Sequence, residues 1–85
     1  MKIVGVREVS GTSKETGRPF SGVKLYYTEP CSRGGFGFVT GSAYFGGESA
    51  DLVRSIGGDG YSSLIGSEVT ITYNRFGRPI GLTFD

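Results

Sequence analysis

The chain has 85 residues, a length that supports one domain spanning 1–85 and leaves too few residues for a second core. It contains no histidine and one cysteine, Cys31, which excludes an intrachain disulfide, a Cys/His zinc site and a histidine-dependent hydrolytic triad. The net charge is +1, but residues 1–33 hold six basic and three acidic side chains, whereas residues 34–72 hold one basic and four acidic. We therefore expect a non-catalytic protein without metal or cofactor, basic in its first third.

The N-terminal segment lacks the features of an export signal or a membrane anchor. The mostly apolar positions 1–6 are followed at once by Arg7 and Glu8, so they fall short of the about 7 to 15 apolar residues of a signal peptide. No segment approaches the roughly 18 apolar residues of a membrane helix. We expect a soluble, cytoplasmic protein with Cys31 reduced and no membrane partner.

The first predicted strand covers residues 2–10 (KIVGVREVS), which are rich in valine and isoleucine. Gly5 lies inside this run, and a glycine within a strand indicates a bend or a bulge. Residues 10–17 are polar and turn-prone, and Gly17 is placed to adopt a positive φ before the next strand.

The second predicted strand, residues 20–28, alternates between two kinds of side chain. Because successive residues of a strand point to opposite faces, the run divides into two sets. One face carries Phe20, Gly22, Lys24, Tyr26 and Thr28. The other carries Ser21, Val23, Leu25 and Tyr27. We expect the second set to face the core.

The third predicted strand, residues 36–43, overlaps a recognisable pattern. The run 33–39 (RGGFGFV) resembles the RNP1 strand of RNA-recognition domains, in which alternate aromatic side chains stack on bases. An extra glycine interrupts the match, Gly41 stands in place of the closing aromatic residue, and that fold requires a helix between its first two strands. Phe36 and Phe38 are alternatively core residues of the third strand.

The hydrophobic period then changes to that of a short helix over residues 49–56. The apolar helical face consists of Leu52, Val53 and Ile56. Ser49 has the side chain of an N-cap residue, and Gly57 follows in the position of a helix-terminating glycine.

Two further strands follow a glycine-rich loop at residues 57–66. The first covers residues 68–73, and its inward side chains are predicted to be Val69, Ile71 and Tyr73. A hairpin tip at residues 74–78 precedes the last strand, whose apolar face consists of Ile80, Leu82 and Phe84. Five short strands with one helix between strands three and four predict the all-β class and an OB-fold-like, five-stranded Greek-key barrel.

The second strand presents the first candidate binding motif. Arg18, Phe20, Lys24 and Tyr26 combine cations with aromatic rings, and the last three share one strand face. Cations neutralise phosphates and rings stack on bases, so the motif is typical of a single-strand nucleic-acid site. The alternative is that Phe20 and Tyr26 cover a second small core or form a dimer contact.

The predicted hairpin tip presents the second motif, with Phe76 between Arg75 and Arg78. A phenylalanine at a projecting turn favours contact with a partner, here a nucleic acid. The alternatives are that Phe76 folds back onto the barrel or is buried in a subunit interface.

Residues 16–21 (TGRPFS) and 73–77 (YNRFG) resemble segments of the small single-stranded DNA-binding proteins of filamentous phages. The resemblance covers about half of the chain. It implies an OB-type barrel that dimerises and coats single-stranded DNA cooperatively during replication, with Phe20 and Phe76 as contacts. Residues 34–66 depart from the family pattern, because this segment is longer than its counterpart in the family, is acidic and contains the helix. The resemblance therefore implies no DNA-contacting residue within this segment.

The leading hypothesis is therefore a homodimeric domain that binds single-stranded DNA without sequence specificity. The expected nucleic-acid-binding residues are Arg18, Phe20, Lys24, Tyr26, Arg75, Phe76 and Arg78. Two alternatives stay open: a protein–protein interaction module that uses the exposed aromatic residues, and an RNA-binding domain.

Overall fold

The computed structural model describes all 85 residues. It contains five β-strands and one α-helix, followed by a short 3₁₀ turn at Asp59–Tyr61. In chain order the elements are β1 (Lys2–Thr12), β2 (Pro19–Pro30), β3 (Phe38–Gly46), α1 (Glu48–Gly57), β4 (Val69–Tyr73) and β5 (Pro79–Phe84). The chain is thus mostly β, with its helix between β3 and β4, as the sequence predicts. None of its helices has the length and apolarity needed to span a membrane.

The strands form two antiparallel sheets, β1-β2-β3 and β4-β5. A single bridge between Lys2 and Glu68 joins β1 to the start of β4. Beside it, the Ile3 N–H donates to Ser67 O at 3.0 Å, and the Gly66 N–H donates to Ile3 O at 2.7 Å. No backbone hydrogen bonds pair β3 with β5, so the strands do not close into a continuous barrel.

The bulge predicted in the first strand is confirmed. The β1–β2 register shifts between Ile3 and Gly5, so that Ile3 lies opposite Tyr27 while Val6 lies opposite Leu25. Without the extra residue, side chains three positions apart would point to opposite faces. The bulge therefore lets both Ile3 and Val6 face the interior.

One hydrophobic cluster occupies the space between the three-stranded sheet, the helix and the two-stranded sheet. Its members are Ile3, Val23, Leu25, Ala43, Phe45, Ala50, Val53, Leu64, Val69, Ile71 and Leu82. Val23 and Leu25 are fully buried, which confirms the predicted inward face of the second strand at these two positions. Ser21, predicted to face the core with them, is exposed near the start of β2, so that part of the prediction is wrong. Tyr27 packs against the cluster but is only half-buried.

The helix differs from the prediction at its start, at its end and in its buried face. It includes Gly57, and the glycine that follows the helix with a positive φ, 68°, is Gly58, so Gly57 is not the helix-terminating residue. It begins at Glu48 after Gly47, whose φ is 57°, and no side chain caps it; Ser49 is therefore not the N-cap. The buried helix positions are Ala50, Val53 and Gly57. This face is rotated relative to the predicted one, so Leu52 remains 43% exposed instead of entering the core.

The two-stranded sheet also buries fewer side chains than predicted. Val69, Ile71 and Leu82 are buried, whereas Tyr73, Ile80 and Phe84 are each almost half exposed. A register shift follows Thr72, and no strand pairs with the outer edge of β5. Tyr73 and Ile80 next to the hairpin tip, and Phe84 at the other end of the strand pair, therefore keep part of their surface outside the core.

Candidate nucleic-acid interface

The three-stranded sheet has one side against the core and a second side, here called the outer face, that turns away from it. The strand register puts Arg7, Lys24 and Tyr44 in one row across this face, and Gly5, Tyr26 and Ser42 in the next. The larger side chains of the outer face are Lys2, Arg7, Phe20, Lys24, Tyr26, Phe38 and Tyr44. Three of the predicted binding residues therefore share one surface with two cations and two aromatic residues that belong to neighbouring strands.

Glycines lie beneath the aromatic rings of this face. A Cβ atom added at Gly11 would come within 3.2 Å of the Phe20 ring, and one added at Gly5 would meet Tyr26 at 3.7 Å. A Cβ at Gly22 would collide with the Tyr44 ring. The rings thus lie across bare backbone, an arrangement known from cross-strand aromatic–glycine pairs. Phe20 remains 43% exposed and Tyr44 40% exposed, so both retain ring surface for a partner.

The outer face carries positive charge without any carboxylate. Glu8 and Glu29 point to the opposite side of the sheet, and the other six acidic residues lie outside β1, β2 and β3. Arg54 alone among the nine Lys and Arg side chains forms an ion pair. The cations of the outer face are therefore free to meet an anionic ligand. Lys24 lies 5.7 Å from the centroid of the Tyr26 ring, within the range of a cation–π interaction.

A hydrogen-bonded network holds one carboxylate on the core side of the sheet. Arg54 Nε donates to Glu8 Oε1 at 2.9 Å, and the Tyr61 hydroxyl donates to the same oxygen at 3.0 Å. Asp51 accepts a further hydrogen bond from Arg54 at 3.1 Å. The hydrogen bond from Arg54 is the main reason why the pKa of Glu8 lies below its ordinary value. The network ties β1 to α1 and separates negative charge from the outer face.

The hairpin tip, residues 74–78, is organised by one asparagine. Asn74 Oδ1 accepts hydrogen bonds from the backbone N–H groups of Phe76 at 2.9 Å and Arg78 at 3.0 Å. Gly77 adopts a φ of 77°, which closes the turn. Phe76 is 73% exposed and does not fold back onto the body of the domain. The Arg75 guanidinium lies 4.9 Å from the centroid of its ring.

A groove of about 810 Å³ lies between the edge of β3 and the β4–β5 hairpin. We call it the seam groove. Its lining includes Phe20, Ser42 and Tyr44 from the three-stranded sheet and Tyr73, Asn74, Arg78 and Ile80 from the hairpin. Residues of both predicted motifs, Phe20 and Arg78, thus line one depression. Arg18, Lys24, Tyr26, Arg75 and Phe76 are not part of the lining.

Sequence alone does not indicate three aromatic or basic residues of the outer face and the seam groove: Arg7, Tyr44 and Tyr73. Tyr44 falls one residue beyond the predicted third strand, and Arg7 joins Lys24 only through a cross-strand register that includes the bulge. The prediction that Tyr73 faces the core is wrong, because its side chain is 46% exposed and lines the seam groove. Burial raises the pKa of the Tyr73 hydroxyl, with smaller contributions from the nearby Tyr27 and Glu29. The sequence does contain one signal of this surface: the strand glycines Gly5, Gly11 and Gly22, over which the aromatic rings lie.

The third sequence motif forms the connection between β2 and β3. Phe36 is 95% exposed and Phe38 is 71% exposed, so the interpretation of these residues as core is wrong. β1 and β2 are joined by a turn rather than a helix, which removes the RNA-recognition-domain fold as an explanation of the motif.

Comparison of the chain with family models, with curated proteins and with solved structures finds no match in any of the three. No group of three or more His, Cys, Asp or Glu side chains is positioned to hold a metal ion. The features of the molecule that bear on function are therefore the geometry and charge of the outer face, the seam groove and the hairpin tip.

Proposed function

We propose that this domain binds single-stranded DNA without sequence specificity and without catalysis. The observation that carries the proposal is the outer face, where aromatic rings lie over glycines among cations, and no carboxylate is present. Every base has a flat π surface that can stack on such a ring, whatever its sequence. Unpaired Lys and Arg side chains attract the phosphates, because binding releases the counterions condensed on the strand.

The bound nucleic-acid strand follows the outer face along β2 and reaches the hairpin tip by way of the seam groove. Phe20 belongs both to the outer face and to the rim of the groove, and Arg78 lies on the opposite wall. Arg75 and Phe76 extend the contact at the projecting tip, while Arg18 supplies charge beside Phe20. This path joins all seven predicted binding residues into one site.

The proposal includes an OB-type barrel that is open between β3 and β5, and membership of the filamentous-phage type of single-stranded DNA-binding protein. It is supported by the order of strands and helix, by the Lys2–Glu68 bridge from β1 to β4, and by the TGRPFS and YNRFG segments. A homodimer that coats DNA during replication in the cytoplasm belongs to the same proposal. Sedimentation of the protein alone tests the dimer.

The direct test is a titration of labelled oligo-dT, followed by fluorescence anisotropy at several salt concentrations. Affinity should fall as salt rises, with a slope of about −0.7 in log K against log salt for each phosphate neutralised. Phe20→Ala should raise the Kd about 5- to 150-fold through loss of a stacked base. Phe84→Ala is the matched control, because Phe84 has similar exposure (49% against 43%) but lies on the other sheet.

Absence of binding at low salt, or binding that does not change with salt, contradicts the proposal. Competition between oligo-dT and oligo-U of equal length distinguishes DNA from RNA as the preferred ligand. Purification of the domain with a stoichiometric polypeptide and no nucleic acid would favour a protein–protein interaction module instead.

A further inference from the structure

The connection between β2 and β3, residues 31–37, exposes aromatic surface that the proposed binding path does not use. Pro30 pairs with Phe38 at its base, and the Cys31 N–H donates to Gly37 O at 3.0 Å, which closes the hairpin. Phe36 is the most exposed large apolar side chain of the chain, at 95%. Phe38, two residues further along the chain, is 71% exposed. A phenylalanine so exposed contributes almost nothing to the core.

This connection continues the outer face. Phe38 lies in the same series of outward positions as Tyr44 and Ser42 on β3, opposite outward-pointing Pro30 of β2. Ten residues separate Phe20 from Pro30, so the outer face extends for about 33 Å along β2 at the usual rise of a strand. A nucleic-acid strand that starts at Phe20 and follows β2 arrives at Phe38.

The charge around the connection fits an anionic ligand. Arg33 forms no ion pair, and the nearest acidic residue in the chain, Glu29, points to the opposite side of β2 from Pro30 and Phe38. A cation beside two exposed rings repeats the combination found along the outer face. An apolar protein partner would gain nothing from the unpaired guanidinium.

We propose that Arg33, Phe36 and Phe38 form the distal end of the single-strand binding site, with Phe36 and Phe38 stacking on bases and Arg33 meeting a phosphate. This inference rests on the proposed function and extends it to a segment that the phage resemblance leaves out. With the distal end included, the binding site extends beyond one strand face. The number of nucleotides that it covers then lies towards the upper part of the range of about 4 to 16 for one OB fold.

The absence of tryptophan from the chain allows a site-specific test. Phe36→Trp introduces a single reporter on an exposed position, and Leu52→Trp, on the helix, is the control with the same reporter away from the outer face. Saturation with unlabelled oligo-dT of about 16 nucleotides should quench the emission of the first variant and leave the second unchanged. Anisotropy of a labelled copy of the same oligonucleotide measures binding independently.

Affinity completes the test. Phe36→Ala and Phe36→Leu should each raise the Kd for the long oligonucleotide about 5- to 150-fold, whereas Phe36→Tyr, which keeps a ring, should bind like the wild type. For an oligonucleotide of about 4 nucleotides, which Phe20 and Tyr26 can hold without the distal end, Phe36→Ala should change nothing. Thermal midpoints should stay within about 4 °C of the wild type, because the side chain is exposed.

The failures of the two proposals are distinguishable. Absence of wild-type binding overturns both the proposed function and the distal site. Wild-type binding with unquenched Phe36→Trp emission and an unchanged Kd for Phe36→Ala overturns only the distal site. A change in sedimentation of Phe36→Ala without a change in Kd overturns it too, because the ring then belongs to a contact between proteins.

Discussion

Leu25 and Tyr26 are neighbours in sequence but point to opposite sides of the same sheet, so alanine at each position should affect different properties. Leu25 is fully buried in the core, and Leu25→Ala removes a large side chain there. Buried leucine-to-alanine changes cost about 2 to 5 kcal/mol, a large share of the roughly 5 to 15 kcal/mol that stabilises a domain. A loss of this size should lower the thermal midpoint by at least about 8 °C in a domain of this length.

Tyr26→Ala should have the opposite profile. Its ring lies over Gly5 at the surface and is only half-buried, so we expect a stability loss of about 1 kcal/mol or less. Affinity for oligo-dT should fall about 5- to 150-fold, since one stacked base contributes about 1 to 3 kcal/mol. The assays are urea unfolding and anisotropy titration, the latter at a temperature where both variants are folded.

An exchange of the two profiles would contradict the assignment of these side chains to opposite faces. A stable Leu25→Ala that binds poorly, together with a Tyr26→Ala that unfolds easily and binds well, would mean that the register of β2 is displaced by one residue. Such a displacement moves every side chain of the strand to the other face. Equal loss of stability in both variants would mean that the outer face is itself covered by protein.

Three further predictions concern the tip, a glycine and a carboxylate. Phe76→Ala should weaken oligo-dT binding by about 1 to 3 kcal/mol without changing its salt dependence, whereas Arg78→Ala should flatten the slope of log K against log salt by about 0.7. If Phe76→Ala keeps its affinity but sediments as a monomer, the ring belongs to a subunit interface. Gly22→Ala should destabilise the fold by about 1 to 3 kcal/mol, because the added Cβ collides with the Tyr44 ring. Gly5→Ala is the control: its Cβ makes only ordinary contact with Tyr26, so this variant should unfold at a higher urea concentration than Gly22→Ala. Folding lowers the pKa of Glu8 below 4.5, so the contribution of the Glu8 carboxylate to stability is complete above pH 4.5 and is lost as the pH falls through the folded-state pKa. The urea midpoint of Glu8→Gln should therefore decline less than that of the wild type below pH 4.5.

The strands could be predicted where local pattern and tertiary packing agree. Alternation in β2 correctly predicts buried Val23 and Leu25, because a half-buried strand must put apolar residues on one side. A glycine in the first strand correctly indicates the bulge. The exposed hairpin tip also follows from sequence, since Asn74 and Gly77 have the side chain and the conformational freedom that the turn requires.

Other features depend on contacts that a local pattern does not contain. The buried face of α1 is set by the direction from which it packs on the sheets, so Leu52 fits the apolar period but remains outside. Tyr44 and Arg7 join the candidate site through cross-strand register, which links residues far apart in the sequence. The exposure of Phe36 shows the same limit, because an aromatic residue in a strand-like run has no local mark that separates core from surface.

The unequal connection between the two sheets has a mechanical consequence. Hydrogen bonds fasten β4 to β1 at Lys2 and Glu68. At the opposite margin no backbone hydrogen bond joins β3 to β5, and a long hydrogen bond of 3.4 Å from Ser49 Oγ to Ile80 O ties α1, rather than β3, to β5. We therefore expect the two sheets to rotate about the bonded margin more easily than about any other line. A small rotation of this kind would widen the margin between β3 and β5 without breaking a backbone hydrogen bond there, because none joins these two strands. Under the proposed function, such an aperture would adjust its width to a purine or a pyrimidine at little cost, and binding without base specificity requires this tolerance.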